Sequence, residues 1–254
     1  MLSSRVIPCL LLQSEGLVKT IKFEKPKYVG DPINAIRIFN DKEVDELIVL
    51  DISASREKRE PNYALIESFA NECFMPLCYG GGVRSIDQAQ RLFSLGVEKV
   101  CLQTAALDDP TIITRISDKF GSQSVVVSVD IKKNLLGKHR LYRSLSSITI
   151  KQFWLEHLQN MVNHGAGEVI VNSVDLDGTM AGMDLSLIRE AASAITVPLI
   201  AMGGIGSLSD IKAGIQAGAS AVAAGAFFVF QGPYRAVLIT YPKYQELENL
   251  LREK

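Results

Sequence analysis

Eight short apolar segments, separated by longer amphipathic stretches, constrain the fold of this chain more than any other feature. Apolar and polar residues alternate only weakly within them, which is typical of parallel strands buried on both faces. Strands that alternate with helices along a chain predict a parallel α/β fold. The eight strand candidates are residues 6–11, 46–50, 75–79, 99–102, 124–129, 168–172, 198–202 and 221–224.

An internal repeat indicates how these segments are grouped. Gly-Gly-Val-Arg-Ser at residues 81–85 resembles Gly-Gly-Ile-Gly-Ser at residues 203–207, a shift of 122 positions that also relates Glu46 to Glu168. Such a long period indicates two four-strand halves, approximately residues 1–122 and 123–254, rather than a solenoid. We therefore predict a single (β/α)8 TIM-barrel domain over residues 1–254, since two half-barrels that close on each other leave no open sheet edge. The alternative is an open doubly wound sheet, but no G-x-G-x-x-G motif follows the first strand.

Composition narrows the class of protein and its partners. The chain has 254 residues, of which 47% are hydrophobic and 22% charged, enough for a large core and too apolar for a disordered chain. A formal net charge of −1 gives no electrostatic reason to expect a nucleic-acid or membrane partner. The apolar segment at residues 6–12 is too short for a signal peptide or a membrane span, so we expect a soluble cytoplasmic protein.

Cysteine and histidine give no sign of a metal site or a cofactor. Because the cysteines form no C-x-x-C pair, we predict reduced core residues in a cytosolic protein; they are Cys9, Cys73, Cys78 and Cys101. The histidines are scattered, and we predict that each lies on a loop or a helix surface; they are His139, His157 and His164. No Cys–His nucleophile pair is recognisable, so the chain itself is not expected to be a glutaminase.

Two glycine clusters predict phosphate binding at the C-terminal ends of the strands, where TIM barrels bind ligands. Glycine lets the backbone approach an anion, and the N-terminus of the following helix offers free N–H groups. A single glycine pair is more simply a tight turn, but two equivalent clusters half a chain apart predict a ligand with a phosphate at each end. One cradle comprises Gly81, Gly82, Gln103 and Thr104, and the opposed one Gly203, Gly204, Gly225 and Ala226.

Four carboxylates follow predicted strands and supply candidates for proton transfer. They are Asp51, Asp130, Asp175 and Asp177. Asp130 follows Val-Val-Val-Ser-Val, so we expect it to end the fifth strand and to lie at the barrel mouth. There it could act as a general acid or base, and a capping role in a loop or helix is the other interpretation.

A series of motifs along essentially the whole chain resembles the HisF family, the cyclase subunits of imidazole glycerol phosphate synthase. The sister isomerase family, HisA, shares the half-barrel repeat but matches these motifs less well. The motifs are Arg-Val-Ile-Pro-Cys-Leu at residues 5–10, Gly-Asp-Pro at 30–32, Leu-Asp-Ile-Ser-Ala-Ser at 50–55, Gly-Gly-Gly-Val-Arg-Ser at 80–85, Phe-Gly-Ser-Gln at 120–123 and Asp-Leu-Asp-Gly-Thr at 175–179.

The resemblance implies a path for ammonia through the barrel. In the family, a HisH-type glutaminase docks at the N-terminal face, and ammonia crosses the barrel to a bisphosphorylated ribulosyl substrate at the opposite face. A ring of charges gates entry and maps onto Arg5, Glu46, Lys99 and Glu168. A ring that only satisfies the charges at the barrel bottom is the other interpretation.

The resemblance also implies site residues at the mouth, and here the chain departs from the family. The strand-five catalytic aspartate corresponds to Asp130 and the lysine over the site to Lys19, while Asp177 and Gly178 join the phosphate-binding residues. Leu11 occupies the position of the second catalytic aspartate, and leucine exchanges no proton. Three further mouth residues differ from the family's Asn, Thr and Ser; they are Gln103, Asn172 and Met202.

Three hypotheses about function follow. The favoured one is a HisF paralogue that conducts ammonia to another acceptor, with an ATP-dependent sugar amidotransferase of surface-polysaccharide (lipopolysaccharide O-antigen) biosynthesis as partner. The second is an active cyclase (lyase) of histidine biosynthesis, in which Asp51 or Asp177 replaces the missing carboxylate. The third is a barrel that binds a phosphorylated metabolite and regulates its partner. Whether the chain is itself an enzyme stays open at this point.

Overall fold

The computed structural model describes residues 4–252 and shows a closed barrel of eight parallel strands. Each strand pairs with the next along the chain, and the last pairs with the first through Arg5 and Ala221. All eight predicted strands are present, so the (β/α)8 TIM-barrel prediction is confirmed. The strands are β1 (Arg5–Gln13), β2 (Leu47–Asp51), β3 (Leu77–Gly80), β4 (Lys99–Leu102), β5 (Val125–Lys133), β6 (Glu168–Ser173), β7 (Leu199–Met202) and β8 (Ala221–Ala224).

Helices follow every strand and surround the barrel. Eight of them have nine or ten residues and pack an apolar face on the sheet; they are α1 (Pro32–Asp41), α2 (Tyr63–Glu72), α3 (Ile86–Ser94), α4 (Thr111–Phe120), α5 (Trp154–Asn163), α6 (Leu185–Ala194), α7 (Leu208–Gln216) and α8 (Tyr244–Arg252). Two short helices precede α4 and α8 at the mouth, at Thr104–Asp108 and Ala226–Val229, and a 3-10 turn at Ser122–Ser124 leads into β5.

The internal repeat has a direct structural counterpart. Strands β3 and β4 and helices α1, α2 and α3 each recur 122 positions later as β7, β8, α5, α6 and α7, with the same lengths. Even the helix caps repeat, because Ser85 accepts a hydrogen bond from the backbone N–H of Gln88 and Ser207 accepts one from that of Asp210. The two halves are therefore built to one pattern, as the shift in the sequence predicts.

The apolar core has two layers, one between barrel and helices and one inside the barrel. The inner layer is mostly small or aliphatic and comprises Ile7, Cys9, Leu11, Val18, Ile48, Cys78, Cys101, Val126, Ile170, Ile200, Met202, Ala221 and Ala223. Three of its members are buried free thiols, which confirms the prediction for those cysteines, whereas Cys73 is only half buried. The barrel interior is thus filled with side chains rather than open.

Two strands extend beyond the barrel and build its mouth. Strand β1 leads into an antiparallel pair at Gly16–Ile21 and Glu24–Gly30, and β5 pairs with His139–Arg143, which in turn pairs with Ile148–Thr149. The prediction that Asp130 ends the fifth strand is therefore wrong, because residues 131–133 continue the strand by pairing with residues 139–141. A third hairpin, Phe230–Gln231 with Ala236–Val237, follows the last short helix.

The prediction that all three histidines lie on loops or helix surfaces is also wrong. His157 is buried on α5, where the 3.6-residue period places it on the face of Trp154, Leu158 and Met161. His139 lies on an added strand, with its ring edge-on to Trp154. Within residues 4–252, no helix has the length and apolar character needed to cross a membrane.

Candidate functional site

Four charged side chains form a closed ring at the N-terminal end of the barrel. Arg5 binds both Glu46 and Glu168, and Lys99 Nζ lies 2.8 Å from Glu46 Oε1 and 3.0 Å from Glu168 Oε2. Both carboxylates are almost fully buried, while the two cations are partly exposed. The four residues that the sequence nominated for an ammonia gate are thus brought together.

The electrostatics of the ring explain why it can exist at a barrel end. Burial alone would lower the pKa of Lys99, but Glu46 and Glu168 outweigh that effect and raise it. The pKa of Arg5 is raised in the same way. Each charge therefore has two neighbours of opposite sign, which offsets the desolvation cost that buried ions otherwise carry.

At the opposite end, two adjoining cavities hold the residues predicted to bind phosphate. The larger is an open cleft of about 270 Å³, and the smaller is a narrow recess of about 20 Å³. Leu11, Thr20, Asp177 and Met202 line both. The cleft also contains Gly81, Gly82, Gln103, Thr104 and Asp130, and the recess contains Lys19, Gly178, Gly203, Gly204, Gly225 and Ala226. The two predicted cradles therefore lie on opposite sides of one mouth.

Asp130 is a buried carboxyl at this mouth with a strongly raised pKa. Its Oδ2 accepts a hydrogen bond of 2.6 Å from Gln103 Nε2, and Gln103 is itself held through its Oε1 by Ser144 and Thr104. Burial raises the pKa of Asp130 to about 7, with a further contribution from Asp177. A carboxyl that titrates near neutrality can transfer protons, and such groups concentrate at functional sites.

Lys19 reaches into the recess from the antiparallel extension of β1. Its Nζ donates a hydrogen bond of 2.5 Å to the backbone oxygen of Cys9 and lies against Gly225. Burial lowers the pKa of Lys19, while nearby Asp177 opposes that effect. An ammonium group beside glycine backbones is suited to an anion, and phosphate is the chemistry that this recess would accept.

The centre of the mouth is apolar. Leu11 lies on β1, only 8% exposed, and belongs to the same interior cluster as Val18 and Met202, with Leu50 packed against that cluster. Leucine and methionine neither donate nor accept protons, so this surface offers acid–base chemistry only at its edge, where Asp130 and Asp177 lie.

Asp51, a candidate to replace the missing catalytic carboxylate, is hydrogen-bonded within its own loop. Its Oδ1 accepts three hydrogen bonds of 3.0 Å, from Ser53 N, Ser53 Oγ and Ala54 N. Its Oδ2 lies 3.4 Å from Arg59. An acceptor engaged in this way fixes the loop after β2, and Asp177 is left as the other candidate.

The glycine loops have a structural role that is independent of any ligand. Gly203 has a φ of +101°, and a Cβ there would lie 2.6 Å from the backbone oxygen of Ser173. Gly81 has a φ of +116° and is approached by the backbone of Asp51. Close packing at both equivalent positions requires glycine, so the phosphate role of these loops stays a prediction.

Sequence reasoning missed the residues that close the mouth. Thr20 Oγ1 donates to Asp177 Oδ2 at 3.2 Å, and Arg235 donates to the backbone oxygen of Gly178 at 2.6 Å. Both contacts join segments that are far apart in the chain, and no local sequence motif predicts them. Ser144, which donates a hydrogen bond to Gln103 Oε1 across 41 positions, was missed for the same reason.

Fold and site together define a TIM-barrel protein with a charged ring at one end and, at the other, a mouth that holds glycine loops, Lys19 and Asp130. The comparisons with known proteins agree. A profile described as histidine biosynthesis protein matches residues 5–234. A Pseudomonas aeruginosa protein with the provisional name imidazole glycerol phosphate synthase subunit hisF2 is 55% identical over 249 residues, covering 98% of this chain and 99% of its own.

Two further relatives carry the same kind of provisional name. A Leptospira borgpetersenii HisF subunit is 50% identical, covering 98% of this chain and 99% of its own. A Vibrio vulnificus hisF3 subunit is 48% identical, covering 99% and 97%. The chain belongs to the histidine biosynthesis protein family and, within it, to the HisF group of imidazole glycerol phosphate synthase subunits.

Proposed function

We propose that this HisF-type barrel receives ammonia from a HisH-type glutaminase at its N-terminal face and conducts it to an acceptor beyond its C-terminal face. It delivers nitrogen without cyclising the bisphosphorylated ribulosyl substrate of histidine biosynthesis. Under this proposal Leu11 marks the loss of one of the two catalytic aspartates. Its acceptor is a surface-polysaccharide sugar, whose acetamido group a partner ATP-dependent amidotransferase converts to an acetamidino group.

The observation that carries the proposal is the contrast between the two barrel ends. The ring at the entrance has all four charges paired. The mouth has an apolar centre, where Leu11 and Met202 pack in the interior cluster. Ammonia is small and neutral, and most side chains that fill the interior between the two ends are aliphatic or thiol groups, with Ser128 as a polar member on β5. An apolar interior disfavours charged species, which suits the passage of ammonia rather than ammonium.

The numbered names hisF2 and hisF3 of the relatives support a paralogue of this kind. A second copy of a cyclase subunit is free to lose cyclisation when the first retains it. The residues at the mouth are then expected to diverge while the ring stays, which is the pattern of Leu11, Gln103 and Met202 against Arg5 and Lys99.

A reconstituted nitrogen transfer tests the proposal. The barrel, a HisH-type glutaminase, the amidotransferase, ATP and the acetamido sugar are mixed with either glutamine or an ammonium salt. We expect glutamine-dependent amidination to require the barrel and to fall in Lys99→Ala, whereas ammonium supports product formation without the barrel. Equal glutamine-dependent product in the absence of the barrel contradicts the proposal.

The second candidate function is an active cyclase, which the group of Asp130, Asp177 and Lys19 favours. An active cyclase requires Asp177 to act as the second acid–base group in place of residue 11, because the carboxylate of Asp51 accepts hydrogen bonds from its own loop. Complementation separates the two functions. Growth of a histidine auxotroph lacking its own cyclase subunit, when supplied with this chain, supports the cyclase and contradicts ammonia delivery to another acceptor.

A further inference from the structure

A buried hydrogen-bond acceptor at the top of the barrel interior is unpaired. Asn172 lies on β6 and is 3% exposed, and its Oδ1 accepts no hydrogen bond from any residue in the described range 4–252. Buried polar side-chain atoms are paired in the large majority of cases, so an exception calls for a physical explanation.

The register places this oxygen above the apolar part of the interior. Asn172 is paired with Asp130 on β5 and with Met202 on β7. Side chains alternate along a strand, so Asn172 shares the inner face of β6 with Ile170 and, at the other end, with Glu168 of the ring. Its amide therefore lies beyond the apolar side chains of the interior, at the end of the barrel that opens into the mouth.

The side-chain oxygen of Asn172 lies beside the glycine loop after β7. Asn172 is the neighbour of Asp130 in the register of β5 and β6, and it lowers the pKa of Asp130. The Oδ1 of Asn172 lies 3.0 Å from where a Cβ on Gly203 would be. Asn172, Asp130 and Met202 line the same cleft, so the oxygen lies where the interior opens into the mouth.

The chemistry of this oxygen suits a small molecule that donates a hydrogen bond. Neutral ammonia has three N–H donors, and an amide oxygen accepts such a donor without carrying a charge that would favour ammonium. The neighbouring Ile170 and Met202 offer no competing donor. We propose that Asn172 Oδ1 binds neutral ammonia as it leaves the barrel interior, which makes Asn172 the outlet site of the conduit. This inference rests on the proposed ammonia conduction.

Nuclear magnetic resonance of the free barrel tests the inference without any partner, so its outcome is separate from that of the reconstituted transfer. Asparagine and glutamine side chains are labelled with nitrogen-15 and carbon-13, and the Asn172 signals are assigned by their loss in Asn172→Leu. Ammonium chloride is titrated at alkaline and at mildly acidic pH, with sodium chloride at each pH as reference. We expect a saturable shift of the Asn172 signals that follows the concentration of neutral ammonia.

Matched variants exclude indirect effects. Asn163→Leu changes an exposed asparagine and leaves the Asn172 response intact. The Gln103 side-chain amide, which donates a hydrogen bond to Asp130, serves as a second probe. We expect its response to ammonia to be lost in Asn172→Leu and retained in Asn172→Thr, because threonine keeps a hydrogen-bond acceptor. If Asn172→Leu fails to fold, Asn172→Thr supplies the assignment. The absence of a saturable shift overturns the inference, as does a shift that follows total ammonium at both pH values, which indicates a cation at Asp130.

Discussion

The two ends of this barrel solve the problem of buried polar groups in opposite ways. At the N-terminal end, every charge of the ring has two partners of opposite sign. At the C-terminal end, Asp130 is buried with a raised pKa, and the oxygen of Asn172 is unpaired. The ring pairs all of its charges without a ligand, whereas the mouth keeps a hydrogen-bond acceptor that a ligand could engage.

This difference indicates where selection for stability and selection for function act. A residue that satisfies its neighbours stabilises the fold, and a residue that is strained or unpaired marks a functional site. By that criterion the ring belongs to the framework of the barrel and the mouth is the candidate functional site; under the proposed function, ammonia passes the ring and is delivered at the mouth. Four substitutions sharpen or break the comparison.

The largest expected effect is in the ring. Glu168→Gln leaves Arg5 and Lys99 with one carboxylate between them, and removal of one partner of a buried pair typically costs about 3–5 kcal/mol. Because both cations are partly exposed, we expect a loss near 3 kcal/mol in urea unfolding. Glu72→Gln, which removes the exposed partner of Arg37, is the matched control and should leave the unfolding midpoint unchanged. An equally small effect in both variants breaks the comparison.

The next effect concerns the apolar centre of the mouth. Leu11 packs with Val18 and Met202, so Leu11→Ala should lower the free energy of unfolding by about 2–3 kcal/mol. Leu135→Ala, at an exposed loop leucine, should have no measurable effect. If Leu11→Ala is neutral, the leucine is not an integrated part of the core and its presence at the mouth needs another explanation.

Asp130→Asn should act in the opposite direction and stabilise the protein. Between the ordinary aspartate pKa near 4 and the native value of about 7, the folded state holds a proton that the unfolded chain has lost. Stability therefore falls as pH rises through that window, and Asp130→Asn removes this loss. We expect a gain of about 1–3 kcal/mol at neutral pH and a flatter pH dependence, measured by thermal unfolding from pH 4 to pH 8. If Asp130→Asn instead destabilises the protein at neutral pH, the claim that the ionised Asp130 carboxyl costs stability is contradicted.

The smallest effect lies at the rim of the mouth, where His139 pairs with Asp184. That pairing outweighs burial and raises the pKa of His139 above its usual value. Its stabilisation is therefore present in acid and disappears as pH rises through the raised native pKa. His139→Gln should cost up to about 1 kcal/mol below the ordinary histidine pKa of 6.5, and this cost should decline as pH rises past the raised native pKa. A cost that is independent of pH would assign His139 a packing role against Trp154 instead.

Much of the barrel could be predicted because its signals are local. Buried parallel strands leave continuous apolar runs, and the half-barrel repeat leaves the same glycines and serine caps 122 positions apart. The four ring residues were also identified, because the resemblance to the HisF family maps its charged ring onto them. The extensions of β1 and β5 were missed, because pairing such as Lys132 with Arg140 depends on the hairpin rather than on an apolar pattern.

The site was predictable in its residues but not in their contacts. Asp130 could be nominated from its position after a predicted strand and Lys19 from the family resemblance. The link from Gln103 to Asp130, however, spans 27 positions and that from Thr20 to Asp177 spans 157. The commitment of Asp51 to Ser53 and Arg59 likewise depends on the conformation of its loop. Tertiary proximity decides these interactions, and a single sequence carries no direct signal for it.

The most direct test of the account supplies the purified barrel with an ammonium salt and the bisphosphorylated ribulosyl substrate and follows the absorbance of the substrate. Ammonium bypasses the glutaminase, so the assay reports the chemistry of the mouth alone. With folding verified by circular dichroism, the account predicts no turnover, because under the proposed function Leu11 replaces the second catalytic aspartate and Asp177 does not substitute for it. Turnover at ordinary enzyme rates of about 1–10³ s⁻¹ would contradict it and make the barrel a cyclase.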